Sequence, residues 1–183
     1  MLFRSDHSGR AATSSINFIA CHDGMTLRDV VSYDKKNNHA NGEANRDGTD
    51  ANWSDNMGVE GPTDDAEINA ARAQRQRNLL ATGFLSQGTP MLLAGDEIGN
   101  SQNGNNNTFG QDNPLGWVNW GSADQDLLAC VKRLSALRRD KKVLRQTRFL
   151  HSRPRSADGK PDVFWRLPDG TVPTREDWEN PGT

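Results

Sequence analysis

The chain has 183 residues, with 22 Lys and Arg against 24 Asp and Glu, a formal net charge of -2 and a mean hydropathy of -0.83. The length suffices to bury a core, and the charge balance argues against a dedicated nucleic-acid binder, which is normally strongly basic. No apolar run is long enough to cross a membrane and no charged-then-apolar leader opens the chain; the two cysteines, Cys21 and Cys130, make no disulfide framework, so a cytoplasmic protein is expected.

Residues 1–14 are polar and aperiodic and read as a disordered tail. Residues 16–21 read as a mostly buried strand, ended by a turn at His22, Asp23 and Gly24. Thr26 can cap a short helix carrying Leu27, Val30 and Val31 at spacings of three and four. Residues 34–62 are rich in Asn, Asp and Gly, with Trp53 as the one large apolar anchor. Such a long stretch without aliphatic residues is expected to be functional or disordered.

A long helix is expected to begin near Thr63, with Asp64, Asp65 and Glu67 placing negative charge at its N-terminus. Ile68, Ala71, Leu79, Leu80 and Phe84 supply its apolar stripe, and Gly83 suggests close packing or an early end. Residues 89–95 read as a second buried strand, with Pro90 tolerated at its start and Asp96 and Glu97 at its exit. A second Asn- and Gly-rich loop follows over residues 100–113. Ser122 and Gln125 have capping-box spacing before a second helix, whose buried face is Leu127, Leu128, Val131, Leu134 and Leu137. Residues 150–161 read as a linker, Val163 to Leu167 as a strand, and Trp178 as the last anchor.

The alternation of strand and helix predicts an α/β chain with parallel strands. Parallel sheets need both faces covered and more than two strands, so these two core strands are expected to belong to a larger sheet. In α/β barrels catalytic groups stand at the C-terminal ends of strands, the positions of His22 and Asp23 and of Asp96 and Glu97. An acidic, Asn-rich, Trp-bearing face suits a polyhydroxylated ligand, because carboxylates and amides bond hydroxyls and an aromatic ring packs on a sugar face. The bland readings are a capped turn at His22–Gly24, ordinary capping by Asp96 and Glu97, and a solvated helix end for the basic run from Arg138 to Arg148. No metal is expected: His22 and His39 lack ligand spacing, and the EF-hand pattern fails in residues 41–52 at Arg46 and Asn52. Phosphate-binding loops and serine nucleophile elbows are absent from the sequence.

The segment S-I-N-F-I-A-C-H-D-G-M-T-L-R-D-V-V-S-Y (residues 15–33) resembles the fourth conserved region of the α-amylase superfamily, glycoside hydrolase family 13. N-G-E-A-N-R-D-G-T-D-A-N-W-S-D-N-M-G-V-E-G-P-T-D-D (41–65), L-L-A-T-G-F-L-S-Q-G-T-P-M-L-L-A-G-D-E-I-G (79–99) and Q-N-G-N-N-N-T-F-G-Q-D-N (102–113) narrow the resemblance to its isoamylase-type, bacterial glycogen-debranching members. P-D-V-F-W-R-L-P-D-G-T-V-P-T-R-E-D-W (161–178) is similar to the opening of their C-terminal β domain.

The resemblance implies that residues 15–149 are the last two strand–helix units of a (β/α)8 TIM barrel, and that residues 150–183 are a linker and the start of an all-β domain. It implies retaining hydrolysis of α-1,6 branch linkages, with glycogen, limit dextrin or maltooligosaccharides as the α-glucan partner. Neither a cofactor, a nucleic acid nor a membrane is implied. Asp23 matches the carboxylate that stabilises the transition state, and His22 the histidine that bonds the same sugar. Asp96, Glu97 and Trp53, with the loop from Asn105 to Asn113, Asn107 and Asp112 among them, are expected on the substrate side.

No segment matches the regions that carry the family's nucleophile and general acid, so the chain reads as a fragment, inactive alone. Residues 1–7 match nothing; Met25 stands where an aromatic is usual, and Phe109 and Gly110 where Tyr and Cys are usual. Two alternatives stay open: a non-catalytic α-glucan-binding protein, and a superfamily hydrolase with α-1,4 or trehalose-releasing specificity.

Overall fold

The structure is a computed structural model that describes residues 9–179. It divides into two compact units, the first ending at Gln146 and the second beginning at Thr147.

The first unit is mixed α/β with little sheet. Strand β1 (Ile16–Asn17) pairs in parallel with β2 (Thr89–Pro90), with Ile16 opposite Thr89 and Asn17 opposite Pro90. The Thr89 amide donates to Ser15 O at 2.7 Å and the Met91 amide to Asn17 O at 2.9 Å. The parallel pairing agrees with the alternating pattern, but the strands are far shorter than residues 16–21 and 89–95. They are also not buried: Ile16 is 61% exposed and Phe18 50%. Successive strand side chains point to opposite faces, and two strands offer no layer to cover either face. Ahead of β1, Ala12–Ser14 form a 3-10 turn with Ala12 buried, so the segment read as a tail is partly ordered; residues 1–8 lie outside the described residues.

Helix α1 (Leu27–Val30) is capped by Thr26, whose hydroxyl accepts from the Asp29 amide at 3.2 Å. Helix α2 (Ala66–Leu85) is capped by Asp65 rather than begun at Thr63: one Asp65 oxygen takes the amides of Glu67 and Ile68. Thr63 lies ahead of the helix, where its carbonyl accepts from the Asn69 side chain at 2.7 Å. Gly83 neither ends the helix nor marks a close approach, since a Cβ there would meet nothing within 4 Å. Helix α3 (Gln125–Asp140) is capped by Asp124, which accepts from the Leu127 amide at 2.9 Å. The expected Ser122 cap instead belongs to a 3-10 turn over Trp120–Ser122.

Leu27, Leu80, Leu127 and Val131 form the core where α1, α2 and α3 meet, flanked by Leu79, Phe84, Leu92 and Leu134. The buried side of α2 is more polar than its sequence stripe suggests: Arg72 and Gln76 are buried with Leu80. Arg72 extends back to the loop before its own helix, donating to Gly61 O and Asn56 O at 2.7 Å each and to Val59 O. Arg138, near the end of α3, donates to Phe84 O at 2.6 Å, Ser86 O at 2.9 Å and Gly88 O. One guanidinium thus supplies donors to the turn leading from α2 into β2, where helix carbonyls have no partner of their own.

In the second unit the strand expected over Val163 to Leu167 does not form. An isolated antiparallel bridge joins Pro154 and Pro161, and the Leu167 amide turns back to Thr171 O at 2.9 Å. Helix α4 (Arg175–Glu179) brings Trp178 edge-on to Trp165, with centroids 5.7 Å apart at 89°.

Candidate functional site

His22 and Asp23 stand in the turn between β1 and α1. Their side chains meet, Nε2 to Oδ2 at 3.3 Å, while both stay largely exposed at 87% and 78%. The turn is held from below: the Gly24 amide donates to Asn106 O at 3.0 Å and the Cys21 thiol to Asp23 O at 3.1 Å. A positive φ of 106° at Gly24 lets the chain reverse there, a conformation open chiefly to glycine.

Asp23 and Trp53 line one open groove of about 430 Å³, together with Phe18, Ile19, Cys21 and Asn52. Trp53 is no loop anchor; it is 96% exposed and presents its ring to the solvent beside the groove. Two residues that the sequence pattern suggested for one face are therefore brought together. Arg75 on the groove wall is paired with Asp55 at 2.6 Å, which leaves Asp23 as the acidic lining residue of the groove.

The Asn-rich loops are ordered by each other. Asn38 and Asn106 form a reciprocal pair: Asn38 Nδ2 donates to Asn106 Oδ1 at 2.9 Å, and the Asn106 amide donates to Asn38 Oδ1 at 3.0 Å. Asn106 Nδ2 then reaches Thr49 O at 2.8 Å and Asn52 Oδ1 at 2.9 Å, the segment that carries Trp53. Asn38 is fully buried and Asn106 nearly so. Buried amides of this kind are stable only when fully partnered, and the network then fixes one loop geometry. Asp47 is a second node, its Oδ2 accepting from Asn41 at 2.7 Å and Asn107 at 2.9 Å. The Asn41 bond in particular holds the Asp47 carboxyl below its ordinary range. None of Asn38, Asn106 and Asp47 stood out individually in the sequence; the signal was the matching excess of Asn in two loops.

The remaining expected site residues are dispersed. Asp96 is buried, with Oδ1 accepting from the Leu27 amide at 2.8 Å. Burial pushes its carboxyl up to about 7; the Leu27 amide opposes this, and the charges of Glu97 and Asp29 add to it. Glu97 accepts from the Gly95 amide at 2.9 Å. Asn107 is engaged with Asp47, and Asp112 accepts from Trp117 Nε1 at 3.0 Å. Among the described residues no group of three or more His, Cys, Asp or Glu is placed to hold a metal ion. No helix among them is long and apolar enough to cross a membrane.

Fold and site together define a mixed α/β segment with an exposed carboxylate–histidine pair beside an exposed tryptophan. No family model matches the chain. It is 51% identical over 174 residues to the "Glycogen operon protein GlgX homolog" of Mycobacterium tuberculosis, covering 93% of this chain and 24% of that protein. It is 48% identical over 172 residues to the "Glycogen debranching enzyme" of Serratia proteamaculans, covering 93% and 25%. For the protein of the same name from Dickeya chrysanthemi the identity is 47% over 174 residues, covering 95% and 26%. Over nearly its whole length, then, the chain is similar to part of bacterial proteins named glycogen debranching enzyme. It spans about a quarter of the length of these curated relatives.

Proposed function

We propose that this chain is the part of an α-1,6-glucan hydrolase that supplies the transition-state-stabilising carboxylate, Asp23, and its sugar-binding neighbour, His22. The observation that carries the reading is the shared groove of Asp23 and Trp53 at the exit of β1, in a chain homologous to glycogen debranching enzymes. A carboxylate beside the anomeric carbon favours the positive charge of an oxocarbenium-like transition state. His22 can bond hydroxyls of the same ring, and the Trp53 face can carry a neighbouring glucose.

A retaining mechanism also needs a nucleophile and a general acid about 5–5.5 Å apart. The groove offers the single carboxylate Asp23, so both groups come from elsewhere in a protein as long as its relatives. The parallel β1–β2 pair, joined through α2 and followed by α3, supports the last two strand–helix units of a (β/α)8 barrel. Residues 150–183 then open the following β domain, and the substrate is glycogen or its limit dextrin in the cytoplasm. The same single carboxylate favours a second reading for the chain alone: it binds α-glucan without cleaving it.

The test is an exchange. The 183 residues replace the matching segment of the full-length Dickeya chrysanthemi relative, and the chimera is given branched limit dextrin and linear maltoheptaose. Release of linear chains from limit dextrin, with maltoheptaose left intact, is expected. Cleavage of maltoheptaose, or a folded chimera inert on both, overturns the reading.

A further inference from the structure

A second cavity of about 410 Å³ shares no lining residue with the Asp23–Trp53 groove. It opens between α1, the start of α2 and the loops on either side of residue 110, and is lined by Arg28, Ser32, Tyr33, Asn100, Asn103 and Trp117 among others. Trp117 is 54% exposed, and its one polar group is already bonded to Asp112 at 3.0 Å. What the indole offers the cavity is therefore apolar ring surface.

The polar lining is rich in donors without partners. Arg28 makes no ion pair or hydrogen bond among the described residues, and the Asn103 side-chain amide is likewise unengaged. Asn100 uses its side-chain oxygen to accept from the Asn119 amide at 3.0 Å, which leaves its NH2 unused. Ser32 Oγ and Arg72 Nε are buried behind this wall without a partner, so the donors open to the cavity are those of Arg28, Asn100 and Asn103. The lining carboxylate Asp124 is committed to the cap of α3 at 2.9 Å. A ring face next to planar amides and a guanidinium is the chemistry that recognises a hexose: the ring packs on the C–H face and the donors meet hydroxyl oxygens.

We propose that this cavity is a second α-glucan-binding site, which holds a chain of the polymer away from the Asp23 groove. The inference rests on the α-glucan reading above and places a new subsite beside it. Two sites on one polymer raise the effective concentration of substrate at the reacting one without any new contact there.

The experiment follows the five tryptophan indole N–H resonances of the 183-residue chain while maltoheptaose is added. Saturable shifts of both the Trp53 and the Trp117 signals are expected. Arg28→Gln weakens the Trp117 response at least 5-fold and leaves that of Trp53 unchanged, while Trp53→Ala leaves that of Trp117 unchanged; Trp117→Phe, which keeps a ring, weakens the site less than Trp117→Ala, read by calorimetry. Shifts confined to Trp53 overturn this inference and leave the groove reading intact, whereas shifts confined to Trp117 do the opposite. Displacement of maltoheptaose from Trp117 by inorganic phosphate makes the cavity an anion site and also overturns it.

Discussion

At the scale of single residues, Asp96 is the buried carboxylate with the clearest consequence. Its pKa rises from 3.8 to about 7 on folding because burial disfavours the charged form. The native state therefore binds the proton more tightly than the unfolded chain does. Its contribution to stability is complete below pH 3.8 and is lost as the pH rises through 7. Asp29, also buried and also raised by burial, acts in the same direction. Thermal melts of the chain are expected to show stability falling across that window, with a smaller fall in Asp96→Asn, which keeps an acceptor for the Leu27 amide. An unchanged slope in that variant would contradict the assignment.

Asn38 belongs to the same scale. Its side chain supplies Oδ1 to the Asn106 amide, and Asn106 O holds Gly24 in the turn that carries His22 and Asp23. Asn38→Ala strands buried partners and is expected to destabilise the chain by about 2 kcal/mol or more. Hydrogen exchange should accelerate at the Gly24 amide more than in the core of α2. Equal acceleration everywhere would make Asn38 a general stability residue with no special hold on the turn.

At the scale of elements, helices were more legible in the sequence than strands. The 20-residue α2 and 16-residue α3 followed from periodicity and charged ends, because a helix satisfies its backbone within itself. Their caps moved by two residues because Asp65 and Asp124 compete successfully with Thr63 and Ser122 for the first amides. Strands depend on neighbours, so the apolar runs at 16–21 and 89–95 pair over only two residues each. The Asn-rich loops, expected to be functional or disordered, are ordered by each other, and composition alone does not reveal that two such loops satisfy one another. Asp23 and Trp53, expected on one face, do line one groove, whereas Asp96 is buried with its carboxylate on the amide that starts α1.

Gly83 offers a test at this scale. It lies inside α2 with open space around its Cβ position, so the helix bears the entropic cost of glycine without a packing return. Gly83→Ala is expected to stabilise the chain by up to about 1 kcal/mol, read as a higher urea midpoint at unchanged m. Destabilisation would contradict the open space around the Gly83 Cβ position.

At the scale of the whole molecule, the exposed faces of β1 and β2 and the single carboxylate in the groove have the same explanation. Both suit a segment that works within a longer polypeptide, as the quarter-length match to its relatives suggests. The central claim is that Asp23 stabilises charge in the transition state. The most direct measurement is limit-dextrin hydrolysis by the full-length chimera carrying Asp23→Asn. Asp23 is exposed and makes no buried bond through its side chain, so the substitution leaves the fold intact. Turnover is predicted to fall by roughly 100-fold or more, about 3 kcal/mol of lost transition-state stabilisation, at an unchanged melting temperature. Turnover within a few-fold of the parent chimera would contradict the account.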